Sequence, residues 1–355
     1  MGDKTIKVLV VDDSALIRKI LVEVLAGDPR IKVVGEAQDP YEARALIKKL
    51  SPDVLTLDIE MPKMNGIAFL KNLMRLRPMP VVMISTLTQA GAPATLEALE
   101  LGAVDFLPKP QGGEQGLAEY RETIINKVLL AARANVRYRD PAQRAPARAP
   151  VLERGAALRP NFLCAIGAST GGTEAIKDVL MTLPAQCPPI VMAQHIPEAF
   201  SGSFSRRLDA NCAMAVFEAE HDQPILAGCA YLAPGHSHLQ VVKKGTGYVC
   251  KLDQGDLVNR HRPSVEVLYR SVIQAAGKNA LGVLLTGMGN DGAQGLLDMR
   301  EAGCTTIAQD QATCVVWGMP RAAVELGAAE EILPLDRVGP RIMQLSTQTA
   351  RRARG

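Results

Sequence analysis

No stretch of this 355-residue chain reaches the roughly 18 uninterrupted apolar residues that a membrane span requires. Asp3 and Lys4 precede only a short strand-like run, not the apolar core of a signal peptide. Direct membrane insertion is therefore not expected, and the cytoplasm is the expected location. CxxC spacing is also missing. The seven Cys all fall between Cys164 and Cys314 and are odd in number, which argues for reduced, buried thiols over disulfides or zinc. Nor does charge of one sign prevail, since 40 basic residues face 37 acidic ones for a net charge of +3. That balance makes no case for nucleic acid, and no helix-turn-helix with a basic recognition helix follows the first third. The hydrophobic content is 47%, enough for substantial cores in two or three globular domains.

Within the first third, Asp12, Asp13, Asp58, Ser85 and Lys109 each follow an apolar strand-like run: IKVLVV, DVLTL, PVVMI and AVDFLP. Residues at four strand ends of an open parallel sheet can converge on one crevice. Adjacent carboxylates repel unless a divalent cation neutralises them, and magnesium favours such hard oxygens while keeping waters that a phosphoryl oxygen can replace. Asp58 would then accept phosphate, with Ser85 bonding the new oxyanion and Lys109 pairing with it. An isolated Asp at a strand end is usually a helix cap or a solvated turn. The coincidence of five residues is what points to a phosphate switch.

The runs VVDDS, LDIEMPKMNG and LPKP make residues 5 to about 130 resemble a response-regulator receiver domain. The resemblance implies that Asp58 receives phosphate from a sensor histidine kinase, with Asp12, Asp13 and Asp58 holding Mg2+. It also implies that Ser85 and Lys109 are the switch hydroxyl and lysine, and that Phe106 is the aromatic rotamer switch.

After a helical pattern from about Glu114 to Arg133, the segment DPAQRAPARAPVLERGAALRP loses periodicity. Seven Arg between Arg133 and Arg159 face only Asp140 and Glu153, so an extended, solvated linker is expected. TQTARRARG at the end reads as a frayed tail. The second half opens with NFLCAIGASTGGTEAIKDVL: a strand, a Gly-rich turn holding Ser169 and Thr170, and an amphipathic helix. Such a turn could cradle a phosphate on backbone N–H groups or expose Ser169 as a nucleophile beside an oxyanion hole. It lacks the Walker lysine, and GxxxGG is not the dinucleotide fingerprint.

Downstream, PPIVMAQHIP places His195 just past the next strand, and ALGVLLTGMGNDGAQGLL places Asp291 in a Gly-rich loop between strand and helix. Three strand-end loops thus present Ser, His and Asp, the complement of a hydrolytic triad. His221, His236, His238 and His261 take a structural reading, although His236 and His238 alternate on a strand-like stretch and could share a metal.

With the triad in view, IGASTGG, AQHIP, YLAPGHSHL, HRPSVEVLYRSV and LLTGMGNDGAQG make residues 162 to about 330 resemble the chemotaxis protein-glutamate methylesterases of the CheB family. The chain order Ser, His, Asp is that of neither the α/β-hydrolases nor the two well-known serine proteases, so the assignment leans on the family. The resemblance implies hydrolysis of glutamate γ-methyl esters on cytoplasmic chemoreceptor helices, deamidation of receptor glutamines, and no cofactor for hydrolysis. It places Thr170 and Met288 in the active-site loops, Met288 offering a main-chain N–H to the oxyanion. It further implies that the unphosphorylated receiver covers the catalytic face, so that a fragment beginning near Arg159 outpaces the unphosphorylated whole. Glu266 departs from the Asp expected in HRPSVD.

The expected fold is α/β: a (βα)5 receiver over 1–132, a linker over 133–160, a doubly wound α/β hydrolytic domain over 161–345 and a basic tail over 346–355. GCAYLAP, HLQVV and GYVCKL, close together without helices between them, suggest an antiparallel excursion. Two other classes of function stay open: a receiver with a phosphate- or nucleotide-binding output, and a receptor-binding scaffold without catalysis.

Overall fold

The computed structural model describes residues 5–85, 91–110, 114–136 and 156–349. The chain divides into two units, Met1–Gln143 and Arg144–Gly355. Most of the expected linker (137–155) and the last six residues of the expected tail (350–355) lie outside the described residues.

The first unit alternates strands β1 Ile6–Val11, β2 Ile31–Ala37, β3 Val54–Asp58, β4 Val81–Ser85 and β5 Asp105–Pro108 with helices α1 Ala15–Ala26, α2 Pro40–Leu50, α3 Gly66–Leu76, α4 Ala92–Glu100 and α5 Glu114–Ala131. The order is β2-β1-β3-β4-β5, all parallel. The central strands β3 and β4 are buried at every residue, as near-continuous apolar runs covered on both faces should be. Polar residues start the helices: Asp39 accepts from the Tyr41 and Glu42 N–H groups ahead of Pro40, and Asn65 accepts from Ala68 N–H.

The second unit runs β6 Ala156–Leu158, β7 Leu163–Ala168, α6 Gly172–Met181, β8 Ile190–Gln194, α7 Glu198–Asn211, β9 Ala215–Glu218, β10 Pro224–Ile225, β11 Cys229–Leu232, β12 His238–Lys244 and β13 Gly247–Asp253. It continues with α8 Val265–Ala276, β14 Ala280–Leu284, α9 Ala293–Glu301, β15 Thr305–Gln309, α10 Met319–Glu325, β16 Glu331–Leu333, α11 Leu335–Ser346 and β17 Thr347–Thr349. Seven strands form a parallel sheet ordered β16-β15-β14-β7-β8-β11-β9. Since β7 comes first in chain order and β8 and β14 flank it, the sheet's direction of growth reverses at β7. Ligands gather outside the strand ends at such a switch point.

One expectation is corrected here. HLQVV and GYVCKL do pair antiparallel as β12 and β13, with β10 on the outside. GCAYLAP does not join them: β11 lies parallel between β8 and β9. Its Ala230, Tyr231 and Leu232 are buried, and burial on both faces suits an interior parallel strand better than an excursion. A second difference concerns the ends of the unit. Ala156–Leu158, placed by sequence in the linker, pairs antiparallel with Thr347–Thr349, placed in the tail. Arg159 fastens the pair, its N–H donating to Ser346 O at 2.7 Å and its guanidinium to Leu345 O at 3.2 Å.

All seven cysteines are free, and burial pushes the thiols of Cys187, Cys250 and Cys314 up to about 12. They behave as small apolar residues. No helix among the described residues is long and apolar enough to cross a membrane.

Candidate active site and phosphate-acceptor pocket

Parallel register brings Asp12 after β1, Asp58 at the end of β3, Ser85 at the end of β4 and Lys109 after β5 to one edge of the first sheet. Lys109 Nζ lies 2.8 Å from Asp58 Oδ2 and 3.3 Å from Asp12 Oδ2. One oxygen each from Asp12, Asp13 and Asp58 falls within 4.8 Å of the others, Asp13 being the exposed member. Burial pushes the Asp58 carboxyl up to about 6, against the pull of the Lys109 hydrogen bond and helped by the nearby Asp12 charge. Asp12 is raised as well, again chiefly by burial. Burial opposes the Lys109 charge too, but bonds and fields from Asp58 and Asp12 outweigh it and raise the ammonium.

Asp58 Oδ1 is buried without a hydrogen-bond partner among the described residues, and Asp12 Oδ2 has only the 3.3 Å ion pair with Lys109, an ammonium it shares with Asp58. Buried carboxylate oxygens left in this way are costly, so the pocket as it stands is short of positive charge. Three hard-oxygen donors with one open to solvent fit a magnesium ion that retains waters. Ser85 Oγ is 3.2 Å from Thr95 Oγ1 on α4, and Phe106 on β5 is buried. The sequence picked out Ser85 and Phe106 but not Thr95, because only the packing of α4 on the sheet edge brings that hydroxyl near.

In the second unit the ends of β7, β8 and the loop after β14 carry Ser169, His195 and Asp291. His195 Nδ1 is 3.1 Å from Ser169 Oγ, and its Nε2 is 2.8 Å from Asp291 Oδ2. Asp291 is buried, yet all four acceptor directions of its carboxylate are used. Oδ1 accepts from Asn259 Nδ2 and Ser264 Oγ, both at 2.8 Å, and Oδ2 accepts from Val265 N–H at 2.7 Å as well as from His195. Burial by itself would raise this carboxyl; the His195, Asn259 and Val265 bonds overcome it and hold it at about 2. An ionised Asp291 can only accept, so Nε2 carries the imidazole proton and Nδ1 is left to take the Ser169 proton.

Local backbone chemistry explains the placement of Ser169. Gly172 N–H closes a four-residue turn onto Ser169 O at 2.7 Å, with Gly171 third in the turn at φ 76. A side chain there would be strained, and its Cβ would come within 2.6 Å of Val315. Ser169 N–H donates to Thr286 O at 3.0 Å, so two amides of this turn are already engaged. A phosphate cradle would need them free, so that reading of GASTGG loses these two donors. Thr170 O accepts from Thr286 Oγ1, and Gly287, next to Met288, is packed so closely that an added Cβ would lie 2.8 Å from Ser169 Cβ. Both Thr170 and Met288 therefore flank Ser169.

Several residues at this site escaped the sequence. Gln194 Nε2 lies 2.9 Å from Ser169 O and 3.0 Å from His195 O, bridging the two loops. Asn259 and Arg260, at φ 52 and 66, form the middle of a tight turn in which Val258 and His261 exchange backbone hydrogen bonds. Positive φ at both central residues is the mark of a type I′ turn. The turn points Asn259 at Asp291 and stacks the His261 ring on His195, with centroids 3.7 Å apart at 16°. His261, which the sequence reads as structural, is a direct neighbour of His195. Glu266 is buried and accepts from Gly292 N–H at 3.0 Å, so its longer side chain braces the Asp291 loop. His236 and His238 are not arranged to share a metal: His236 Nδ1 faces Ser237 Oγ at 2.7 Å, and both ring nitrogens of His238 bond backbone.

Residues 164–342 match the CheB methylesterase family and residues 8–121 the response regulator receiver domain family. A Saccharophagus degradans protein named protein-glutamate methylesterase/protein-glutamine glutaminase 2 is 60% identical over 343 residues, covering 96% of this chain and 99% of that protein. A Paraburkholderia xenovorans protein named protein-glutamate methylesterase/protein-glutamine glutaminase is 54% identical over 346 residues, 95% of this chain and 96% of that one. The crystal structure of the Thermotoga maritima CheB methylesterase catalytic domain superposes with a TM-score of 0.51 at 35% identity, over 52% of this chain and 98% of that one.

Proposed function

Since this chain belongs to the CheB methylesterase family, we propose that it demethylates glutamate γ-methyl esters on chemoreceptors, deamidates receptor glutamines, and is switched by phosphorylation of Asp58. The hydrogen-bonded line from Ser169 through His195 to Asp291 carries the reading. Ser169 Oγ attacks the ester carbonyl as its proton passes to His195 Nδ1, and Asp291 stabilises the imidazolium through the Nε2 proton. The Met288 N–H would meet the oxyanion, with Thr170 alongside. Collapse of the tetrahedral intermediate breaks the bond to methoxide, which leaves as methanol with the proton held on Nδ1, and the glutamyl group stays esterified to Ser169. Water then attacks, gives a proton to Nδ1, and its collapse restores the Ser169 hydroxyl and releases the glutamate. With glutamine the leaving group is ammonia.

In the receiver, Asp58 takes the phosphoryl group from a phosphohistidine of a sensor kinase, Lys109 pairs with it, and Ser85 and Phe106 change position. Asp12, Asp13 and Asp58 would hold Mg2+, which when bound neutralises the crowded carboxylates and the incoming phosphate.

Methanol release from methylated receptors, measured with and without Mg2+ and a small phosphodonor, tests both halves. The donor should accelerate release by the wild type, leave Asp58→Asn at its basal rate, and produce nothing from Ser169→Ala. Full release from Ser169→Ala would refute the esterase, and an undiminished response in Asp58→Asn would put the acceptor elsewhere.

A further inference from the structure

His238 stands outside the catalytic line, yet it is buried to 2% exposure at the start of β12 with both ring nitrogens occupied. Nε2 lies 2.9 Å from Asp256 O, and Ser264 N–H donates to Nδ1 at 3.1 Å. A carbonyl only accepts and an amide N–H only donates, so this pair of partners admits a single neutral tautomer, with the proton on Nε2. The two partners bracket the loop that supplies the surroundings of the triad. Between Asp256 and Ser264 lie Asn259, bonded to Asp291 Oδ1, and His261, stacked on His195. Ser264 itself is fully buried and donates its hydroxyl to Asp291 Oδ1 at 2.8 Å, while Val265 N–H, next in the chain, reaches Oδ2 at 2.7 Å.

We propose that His238 is a positioning residue for catalysis, clamping both ends of the 256–264 loop so that Asn259, Ser264 and Val265 hold Asp291, and through it His195, in register with Ser169. The proposal deepens the esterase reading and rests on it for its kinetic consequence. Its structural consequence, a fixed hydrogen bond between His195 and Asp291, is independent of any substrate. Of the two clamp bonds, the one to Ser264 acts more directly, because Ser264 touches Asp291.

Two near-isosteres separate the bonds. Asn at 238 places its Oδ1 where Nδ1 stands and can still accept from Ser264 N–H; Gln reaches toward Asp256 O but offers Ser264 nothing at the right place. In the full chain, His238→Asn should keep kcat on methylated receptors within about threefold of wild type, whereas His238→Gln and His238→Ala should lose about ten- to a hundredfold, as small misplacements of reacting groups do. KM should change little in all three. The downfield proton resonance of the His195 Nε2–H should be preserved in the Asn variant and shifted or broadened in the other two. Circular dichroism and the thermal midpoint establish which variants are folded. If the Ala variant does not fold, the contrast between Asn and Gln decides. Wild-type kcat with an unmoved resonance in folded Gln, or a raised KM at unchanged kcat, would overturn the proposal, and so would failure of all three variants to fold. Were the wild type inactive on methyl esters but the resonance still lost in Gln and kept in Asn, the clamp would stand and the esterase reading would fall.

Discussion

At the scale of single residues, the triad should behave as a unit. Removing either Ser169 or His195 already disables the covalent route, so Ser169→Ala, His195→Ala and the double variant should show similar residual methanol release, each down by about 10⁴-fold or more. Asp291→Asn should be no worse than either, because it disturbs tautomer control while leaving nucleophile and base in place. Losses that multiplied in the double variant would mean that the two act in separate steps. Asp291 also links the site to stability. Its carboxyl is held at about 2 in the fold, below the value of about 3.9 in an unfolded chain. A depressed carboxyl stabilises fully above its unfolded value and loses that contribution as pH falls toward its folded one, so the window runs from about pH 4 down to about pH 2 and is worth about 2–3 kcal/mol. The gap in unfolding free energy between wild type and Asp291→Asn, measured in urea, should therefore be smaller at pH 3 than at pH 5. An equal gap at both would show that the native carboxylate is not held down.

At the scale of elements, the antiparallel pair of β6 and β17 ties the two ends of the second unit together, with Arg159 as its fastening. Besides its bonds to Ser346 and Leu345, the guanidinium lies 5.0 Å over the Phe162 ring and 3.4 Å from Asn279 Oδ1. Arg159→Ala should cost about 1–2 kcal/mol of stability in the second unit. The measurement is chemical denaturation of that unit, and a change near zero would show the clasp to be idle. Composition hides this pair for a physical reason: three residues of strand carry too little alternation to stand out from an Ala- and Arg-rich segment, and their partner lies nearly two hundred residues away. β11 departs from its expected pairing for a different reason: strands without a helix between them ordinarily pair antiparallel, but the helix-free connection 219–228 returns the chain to lie parallel to β9.

At the scale of the whole molecule, phosphate control and hydrolysis belong to separate compact units, which makes a clean truncation possible. The fragment must begin at Gly155 so that β6 is retained; starting at Arg159, the boundary that composition suggests, would discard the strand. We expect the 155–355 fragment to fold, to hydrolyse receptor methyl esters faster than the unphosphorylated full chain, and to ignore phosphodonors. A fragment from 159 should melt at a lower temperature. A folded 155–355 fragment slower than the unphosphorylated whole would mean that the receiver contributes to catalysis instead of restraining it.

The strand-end residues are legible in the amino-acid sequence: Asp12, Asp58, Ser85, Lys109, Ser169, His195 and Asp291 all follow apolar runs, and in parallel sheets the carboxyl ends of neighbouring strands share an edge, so their convergence follows from the order of the elements. Local spacing also marked the Gly-rich turns around Ser169 and Asp291. Which groups hold those residues in place is settled by long-range packing alone. Asn259, Ser264 and the Val265 N–H reach Asp291 from 32 to 26 positions earlier in the chain, beside a turn whose two positive φ values suit Asn259 but are not announced by Arg260. Gln194, His238 and His261 have residue types common in any core or surface. Their roles depend on the direction in which a packed side chain points, and direction is set by the sum of contacts across the fold, a quantity no local pattern of residues encodes.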